Sequence, residues 1–216
     1  MEISKITLKE ALPAVFQGET RSHSDVWLTN LTLHKGKRYI ISAESGTGKS
    51  SMCAYIYGAR RDYLGEILFN DTDIRSFSIP EWQEWRRVSL AYLPQDLGLF
   101  PELTAYENIK LKNDLTGHFD SVKIDEMLRR LGIIDRRDFP VGKMSIGQQQ
   151  RVAIIRTLCQ PFDFIFLDEP VSHLDEHNNK IVASIVEEEA ERQGAAIVST
   201  SVGNHLLLSE AETLHL

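Results

Sequence analysis

At 216 residues the chain can bury a core of its own and falls in the range of one large or two small domains. Its 31 acidic against 24 basic residues give a formal net charge of -7 with no Lys/Arg block, which disfavours a partner held through a nucleic-acid phosphate backbone. The opening MEISKITLKE has no basic and apolar leader, and no window holds the roughly 18 to 20 apolar residues of a membrane helix, so one compact cytosolic unit is expected.

The first strand-like run is RYIISA (38–43). It leads into AESGTGKS (43–50), which follows the phosphate-loop pattern G-x-x-x-x-G-K-[ST] everywhere except Ala43, and a helix is expected to open near Lys49. Cys53 and Cys159 each fall in an apolar helical pattern and read as reduced packing residues. PEWQEWRR predicts a helix whose Trp82 and Trp85, three apart, are packing groups. VSLAYLP (88–94) is the second strand. From Gln95 to Met144 the pattern is helical, with ENIKLKNDL and DSVKIDEMLRRLG, and predicts an inserted helical subdomain, taken as residues 96–158. FDFIFLD (162–168) has the continuous apolarity of a strand buried on both faces, with Asp168 at its carboxyl end. AAIVST (195–200) is the fourth strand, and the alternation predicts one α/β domain with a largely parallel sheet.

Three of these segments carry chemistry. In the loop, backbone N–H groups from Ser45 to Ser50 would wrap phosphates at a helix N-terminus, where the dipole also favours negative charge. Lys49 would reach the β- and γ-phosphates, and the Ser50 hydroxyl would bind Mg²⁺. In FIFLDEP, Asp168 is placed to support the Mg²⁺ shell and Glu169 to orient or deprotonate a water. Either stretch alone could be a plain turn; loop first and paired acids about 120 residues later makes nucleotide hydrolysis the expectation. In MSIGQQQRVAIIRTL, Ser145 and Gln148 form a capping box for a helix burying Val152, Ile155, Leu158 and Cys159. Gly147 and the run Gln148, Gln149, Gln150 leave that helix N-terminus suited to a second phosphate contact.

Together AESGTGKSS, YLPQD, MSIGQQQRVAIIRTL, FIFLDEP and SHLD resemble, in order, the Walker A loop, Q-loop, signature, Walker B strand and D-loop of ATP-binding cassette (ABC) ATPases. The resemblance covers nearly the whole chain. It implies a P-loop NTPase core with an inserted helical subdomain, ATP and Mg²⁺ as cofactors, and two cassettes enclosing two nucleotides head to tail, here as a homodimer. It implies further that Phe16 stacks on adenine and that Ser45, Gly46, Thr47, Gly48, Lys49, Ser50 and Ser51 bind the nucleotide. Gln95 would sense Mg²⁺ and the membrane partner. Ser145, Gly147 and Gln148 of one subunit would meet the nucleotide of the other, and Asp175 would couple the two sites. The implied function is the ATPase subunit of a membrane transporter, peripheral on the cytoplasmic face and driving a separate integral-membrane permease. Phe100, Leu103 and Tyr106 fit subdomain core or a groove for a partner helix, and the resemblance raises the groove.

The chain departs from the family pattern at Ala43 and Ile146, which replace glycines, and at Ser201, which stands where the switch histidine is usual. Only Ser201 removes a chemical group, so slow hydrolysis is expected, with catalysis resting on Glu169, Lys49, Gln95 and Ser201. His205, four residues on, is expected on a following helix, facing solvent. His173 and His177 are spaced for one helical face but lack a third metal ligand. Two alternatives remain: a non-transport ABC protein, disfavoured by the acidity and the short Gln95–Ser145 interval, and a regulatory module without turnover, which Ser201 favours and Glu169 opposes.

Overall fold

The structure is a computed structural model that describes residues 1–18 and 24–216. Nine strands form among them: β1 (Lys5–Pro13), β2 (Asn30–His34), β3 (Arg38–Ser42), β4 (Tyr63–Phe69), β5 (Thr72–Asp73), β6 (Leu90–Leu93), β7 (Phe164–Asp168), β8 (Ala196–Ser201) and β9 (Glu212–His215). Five make a parallel sheet in the order β6-β7-β8-β3-β9, and the other four an antiparallel sheet in the order β2-β1-β4-β5.

Successive side chains on a strand point to opposite faces, and β7 shows the consequence. Phe164 and Phe166 join one core; Ile165 and Leu167 join another. Ala196 and Val198 of β8 repeat the first assignment and Ile197 the second. All five β7 residues are therefore buried, with β6 on one side and β8 on the other.

The first core is closed by α1 (Lys49–Ile56), α2 (Ile79–Val88) and the antiparallel sheet. Trp82 and Trp85 lie there within 5.9 Å, centroid to centroid, of the Phe69 ring, so they are packing residues. The second core is closed by α3 (Ala105–Asn113), α4 (Ser121–Arg130), α5 (Ile146–Leu158) and α6 (Glu176–Gln193). Side chains set the N-termini: Thr104 and Glu107 form a capping box on α3, Ser145 and Gln148 another on α5, and Asp120 and Asp175 cap α4 and α6. Gly194 ends α6 in the left-handed conformation. Both cysteines are buried thiols.

The antiparallel sheet extends beyond the parallel core expected from sequence. Along β1 the alternation breaks where the register shifts between Lys9 and Leu12, with Glu10 at φ 47°. Opposite it Gly65 has φ 77°, and a Cβ there would lie 2.3 Å from the Glu10 carbonyl oxygen. Gly65→Ala therefore adds both a left-handed strain and a backbone overlap, and should cost about 3 kcal/mol in urea unfolding. A loss under roughly 1 kcal/mol would show that the bulge relaxes freely.

Candidate functional site

The loop between β3 and α1 binds its own carbonyls with side chains. Lys49 Nζ donates to the carbonyl oxygens of Ala43 (3.1 Å) and Glu44 (2.6 Å), and Thr47 Oγ1 also donates to Glu44 O (2.8 Å). The Trp27 indole N–H donates to Thr47 O at 3.0 Å. Gly46 (φ 81°) and Gly48 (φ 100°) supply the left-handed turns; Ala43 is not at positive φ, so its methyl group is tolerated. The amides of Ser45, Gly46 and Gly48 donate to no protein group among the described residues. With the unpaired N–H groups at the start of α1 they are the kind of donors an anion can use.

The paired acids close the other wall. Thr200 Oγ1 donates to Asp168 Oδ1 at 2.6 Å and accepts from the Glu169 amide at 3.2 Å, so one hydroxyl fixes both acidic residues. Glu169 has φ 51°, a costly conformation for a side-chain-bearing residue, and Gln150 Nε2 holds its carbonyl at 3.0 Å. Its carboxylate faces Gln95, with Gln95 Nε2 3.5 Å from Glu169 Oε2. Burial pushes the Lys49 ammonium below the usual lysine range, and the charges of Glu169 and Asp168 oppose that shift.

Ser50, Gln95 and Asp168 line one open cleft of ≈ 470 Å³. Ser51 follows on α1, where Arg60 Nη1 donates to its hydroxyl (3.0 Å). Phe16 ends a short 3-10 turn, Ala14–Phe16, and its ring lies 3.2 Å from where a Cβ on Gly48 would sit. Ser201 ends β8 beside Ser42, buried, its carbonyl facing the Ala43 amide.

Ser145, Gly147 and Gln148 lie outside this cleft. Ser145 and Gln148 bond each other across the α5 cap, and Gly147 packs so closely on the turn before α6 that a Cβ would come 3.0 Å from His173 O. Ile146 between them is half exposed. Asp175 caps α6, and that backbone bond with Asn178 holds its carboxyl below the usual range.

Three expectations change. α6 begins at Glu176, so His173 lies in the preceding turn and does not share a helical face with His177; no cluster of three metal-type ligands occurs among the described residues. No helix follows Ser201, and His205 is exposed on a loop whose carbonyl Asn179 Nδ2 holds at 2.9 Å. Tyr106 packs on the second core with Arg137 over its ring and Leu103 is partly buried, whereas Phe100 is half exposed with Arg156 over its ring. That arginine belongs to a groove of ≈ 320 Å³ lined by Tyr57, Tyr92, Pro94, Leu97 and Lys112.

Trp27, Thr200 and Gln150 are the site's unanticipated members. Thr200 had a signal, a polar residue at the buried carboxyl end of a strand. Gln150 was visible only as part of a polar run. For Trp27 the sequence offers none, because its partner is a carbonyl 20 positions away.

The ABC transporter family model matches residues 28–172. The ABC transporter ATP-binding protein YtrE of Bacillus subtilis (strain 168) is 32% identical over 172 residues, covering 78% of this chain and 74% of the relative. The cytochrome c biogenesis ATP-binding export protein CcmA of Pasteurella multocida (strain Pm70) is 29% identical over 173 residues, covering 80% and 78%. Among solved structures, the dimeric bacterial ABC transporter cassette MJ0796 superposes with a TM-score of 0.79 at 26% identity, over 97% of this chain and 94% of that one. With the phosphate loop, the paired acids and the capped α5 all arranged on this sheet, the chain belongs to the ABC transporter family as one of its ATP-binding cassettes.

Proposed function

We propose that the cleft binds ATP with Mg²⁺ and hydrolyses it, that two copies of the chain enclose the nucleotides, and that the dimer drives a separate membrane permease. The observation that carries this reading is the meeting of Gln95 and Glu169 at 3.5 Å beside the Ser50–Asp168 cleft. The donors there are oxygens, which suit a hard cation, and no protein group among the described residues bonds the second oxygen of Asp168. Ser50, Gln95 and Asp168 would hold Mg²⁺, which would neutralise charge on the β- and γ-phosphates.

The remaining work falls to the chain. Lys49 exchanges its two carbonyl bonds for phosphate oxygens when nucleotide enters. Phe16, beside Gly48, provides the adenine-stacking face, and Ser51 joins the loop amides on the phosphates. Glu169 orients a water and accepts its proton as the water oxygen bonds to the γ-phosphorus and the bond to the β-phosphate oxygen breaks, releasing ADP and phosphate. Ser145, Gly147 and Gln148 do not line their own cleft, which supports a role on the nucleotide of the second copy, and Asp175 would couple the two sites.

Residues 96–158 act as the helical subdomain of a single domain. The groove by Arg156 and Phe100 is the docking place for the permease, which puts the cassette on the cytoplasmic face of the membrane. Among the described residues no helix is long and apolar enough to cross a membrane. The acidic balance supports no nucleic-acid partner.

Glu169→Gln should keep ATP binding, stop hydrolysis and leave an ATP-bound dimer in sedimentation, because dissociation follows turnover. Monomer alone at saturating Mg²⁺-ATP would contradict the paired arrangement. Thr200→Val releases both acidic residues and should lower kcat about 10-fold or more with the fold retained, as supporting residues of such sites do. An unchanged kcat would mean that the strand ends alone position the acids.

Ser201 favours a second reading, a module that binds ATP and turns it over poorly. It is buried and neutral, where a histidine would offer a charge-assisted bond to the γ-phosphate. Ser201→His should raise the steady-state rate by ~10-fold, equivalent to about 1.4 kcal/mol of transition-state stabilisation. If neither the native protein nor Ser201→His hydrolyses ATP in the presence of its permease, the regulatory reading stands.

A further inference from the structure

Three buried tryptophans divide into two kinds. Trp82 and Trp85 pack among aromatic rings with their indole N–H groups unbonded. Trp27, equally buried, directs its N–H at the Thr47 carbonyl of the phosphate loop, 3.0 Å away. An indole can only donate, so its direction decides which backbone atom it can hold.

That carbonyl belongs to the Thr47–Gly48 peptide. Across a planar trans peptide the C=O and the following N–H point in opposite directions. A C=O held down toward the buried indole therefore turns the Gly48 N–H up and out of the core, toward the mouth of the loop. Gly48 has no side chain to resist a flip, and its φ of 100° is one of several values open to glycine, so the peptide needs an external restraint. The loop's other carbonyl-binding side chain is unsuited to that task. Lys49 holds Ala43 and Glu44, not Thr47, and must release them to reach a phosphate. Thr47 Oγ1 is likewise spent on Glu44.

Trp27 is itself held in place. Its amide and that of Val26 donate to Ser24 Oγ at 2.8 and 3.1 Å, the Leu28 amide donates to Ala11 O of β1 at 3.0 Å, and Asp25 exchanges bonds with His215 of β9. Its ring edge also lies 3.2 Å from where a Cβ on Gly48 would sit, closing the space on the core side of that residue. The indole is a preorganised prop beneath the loop.

We propose that Trp27 is a positioning residue of the nucleotide site, its indole N–H fixing the Thr47–Gly48 peptide so that the Gly48 amide faces the phosphates before nucleotide arrives. This rests on the reading of the loop as a nucleotide-phosphate site. The indole acts on the nucleotide only through the phosphate-facing Gly48 amide, so its loss should be felt by ADP and not by adenosine.

The test deletes one N–H. Trp27→benzothienylalanine, in which sulfur replaces the indole nitrogen with little change of shape, is compared with the native protein and with Trp27→Phe. Competition against a fluorescent nucleotide gives affinities for Mg²⁺-ADP and adenosine, and thermal unfolding gives the stability of each free protein. The sulfur variant should bind ADP ~5- to 10-fold more weakly, the scale of one net hydrogen bond, with adenosine affinity unchanged and only the small fall in melting temperature that the loss of one hydrogen bond brings. Trp27→Phe should show the same selective loss on top of any packing defect. Unchanged ADP affinity in the sulfur variant would overturn the proposal, and so would an equal loss for ADP and adenosine, which marks a merely structural residue. A native protein that binds no ADP would instead refute the nucleotide-site reading, and this inference with it.

Discussion

A strand buried on both faces can present polar chemistry only at its ends, and the rest of this site follows from that constraint on β7. Its residues Phe164 to Leu167 are fully buried between two cores, so Asp168 and Glu169 are the first positions where a carboxylate can meet solvent or ligand. β3 runs parallel in the same sheet, so its loop opens at the same edge. Strand β8, between them, contributes Thr200 and Ser201 to the gap. A single parallel sheet thus delivers amides, acids and hydroxyls to one place without any of them adjacent in sequence.

Once delivered, the polar groups are held by one another. Thr200 orients both acidic residues, and Gln150 reaches from α5 to clamp the carbonyl of the strained Glu169 and the hydroxyl of Ser172. Gln150 also accepts from the His173 amide, so the turn that packs on Gly147 is tied to the acid that faces the cleft. The surface expected to meet a second cassette and the residue expected to activate water therefore share a short chain of bonds. Any shift of α5 at that surface must be accommodated at Glu169, because its peptide is restrained on both sides.

The parallel core was legible because each strand there is short, apolar and bounded by turns, and because Ser145 and Gln148 write a capping box into adjacent sequence. The antiparallel sheet was not. β1 loses its alternation at the Glu10 bulge, β5 is two residues long, and their pairing depends on partners far along the chain. Motif spacing likewise pointed to Lys49, Ser50, Asp168 and Glu169, which carry recognisable side chains in fixed order, and the family resemblance added Gln95. It could not show Trp27, whose contribution is one N–H aimed at a distant carbonyl, or the direction in which Tyr106 turns inward while Phe100 stays half exposed.

The three departures from the family pattern differ in physical weight. Ala43 is not at positive φ, so the glycine it replaces is not required for conformation. Ile146 exposes about half its surface between Ser145, whose cap is intact, and Gly147, whose missing side chain is what the His173 carbonyl requires. Adding an apolar side chain at an exposed surface changes what can pack there while leaving the capped backbone in place. Ser201 is different, because its backbone is already fixed by pairing with β3 and only its side chain faces the question of catalysis. Ser201 is buried, so a larger side chain needs room there, but the difference proposed for catalysis is one of charge: a serine cannot carry the charge that a histidine would bring to the γ-phosphate. Sequence departures at the same motif level therefore separate, on this scaffold, into two that the backbone absorbs and one whose proposed consequence is chemical.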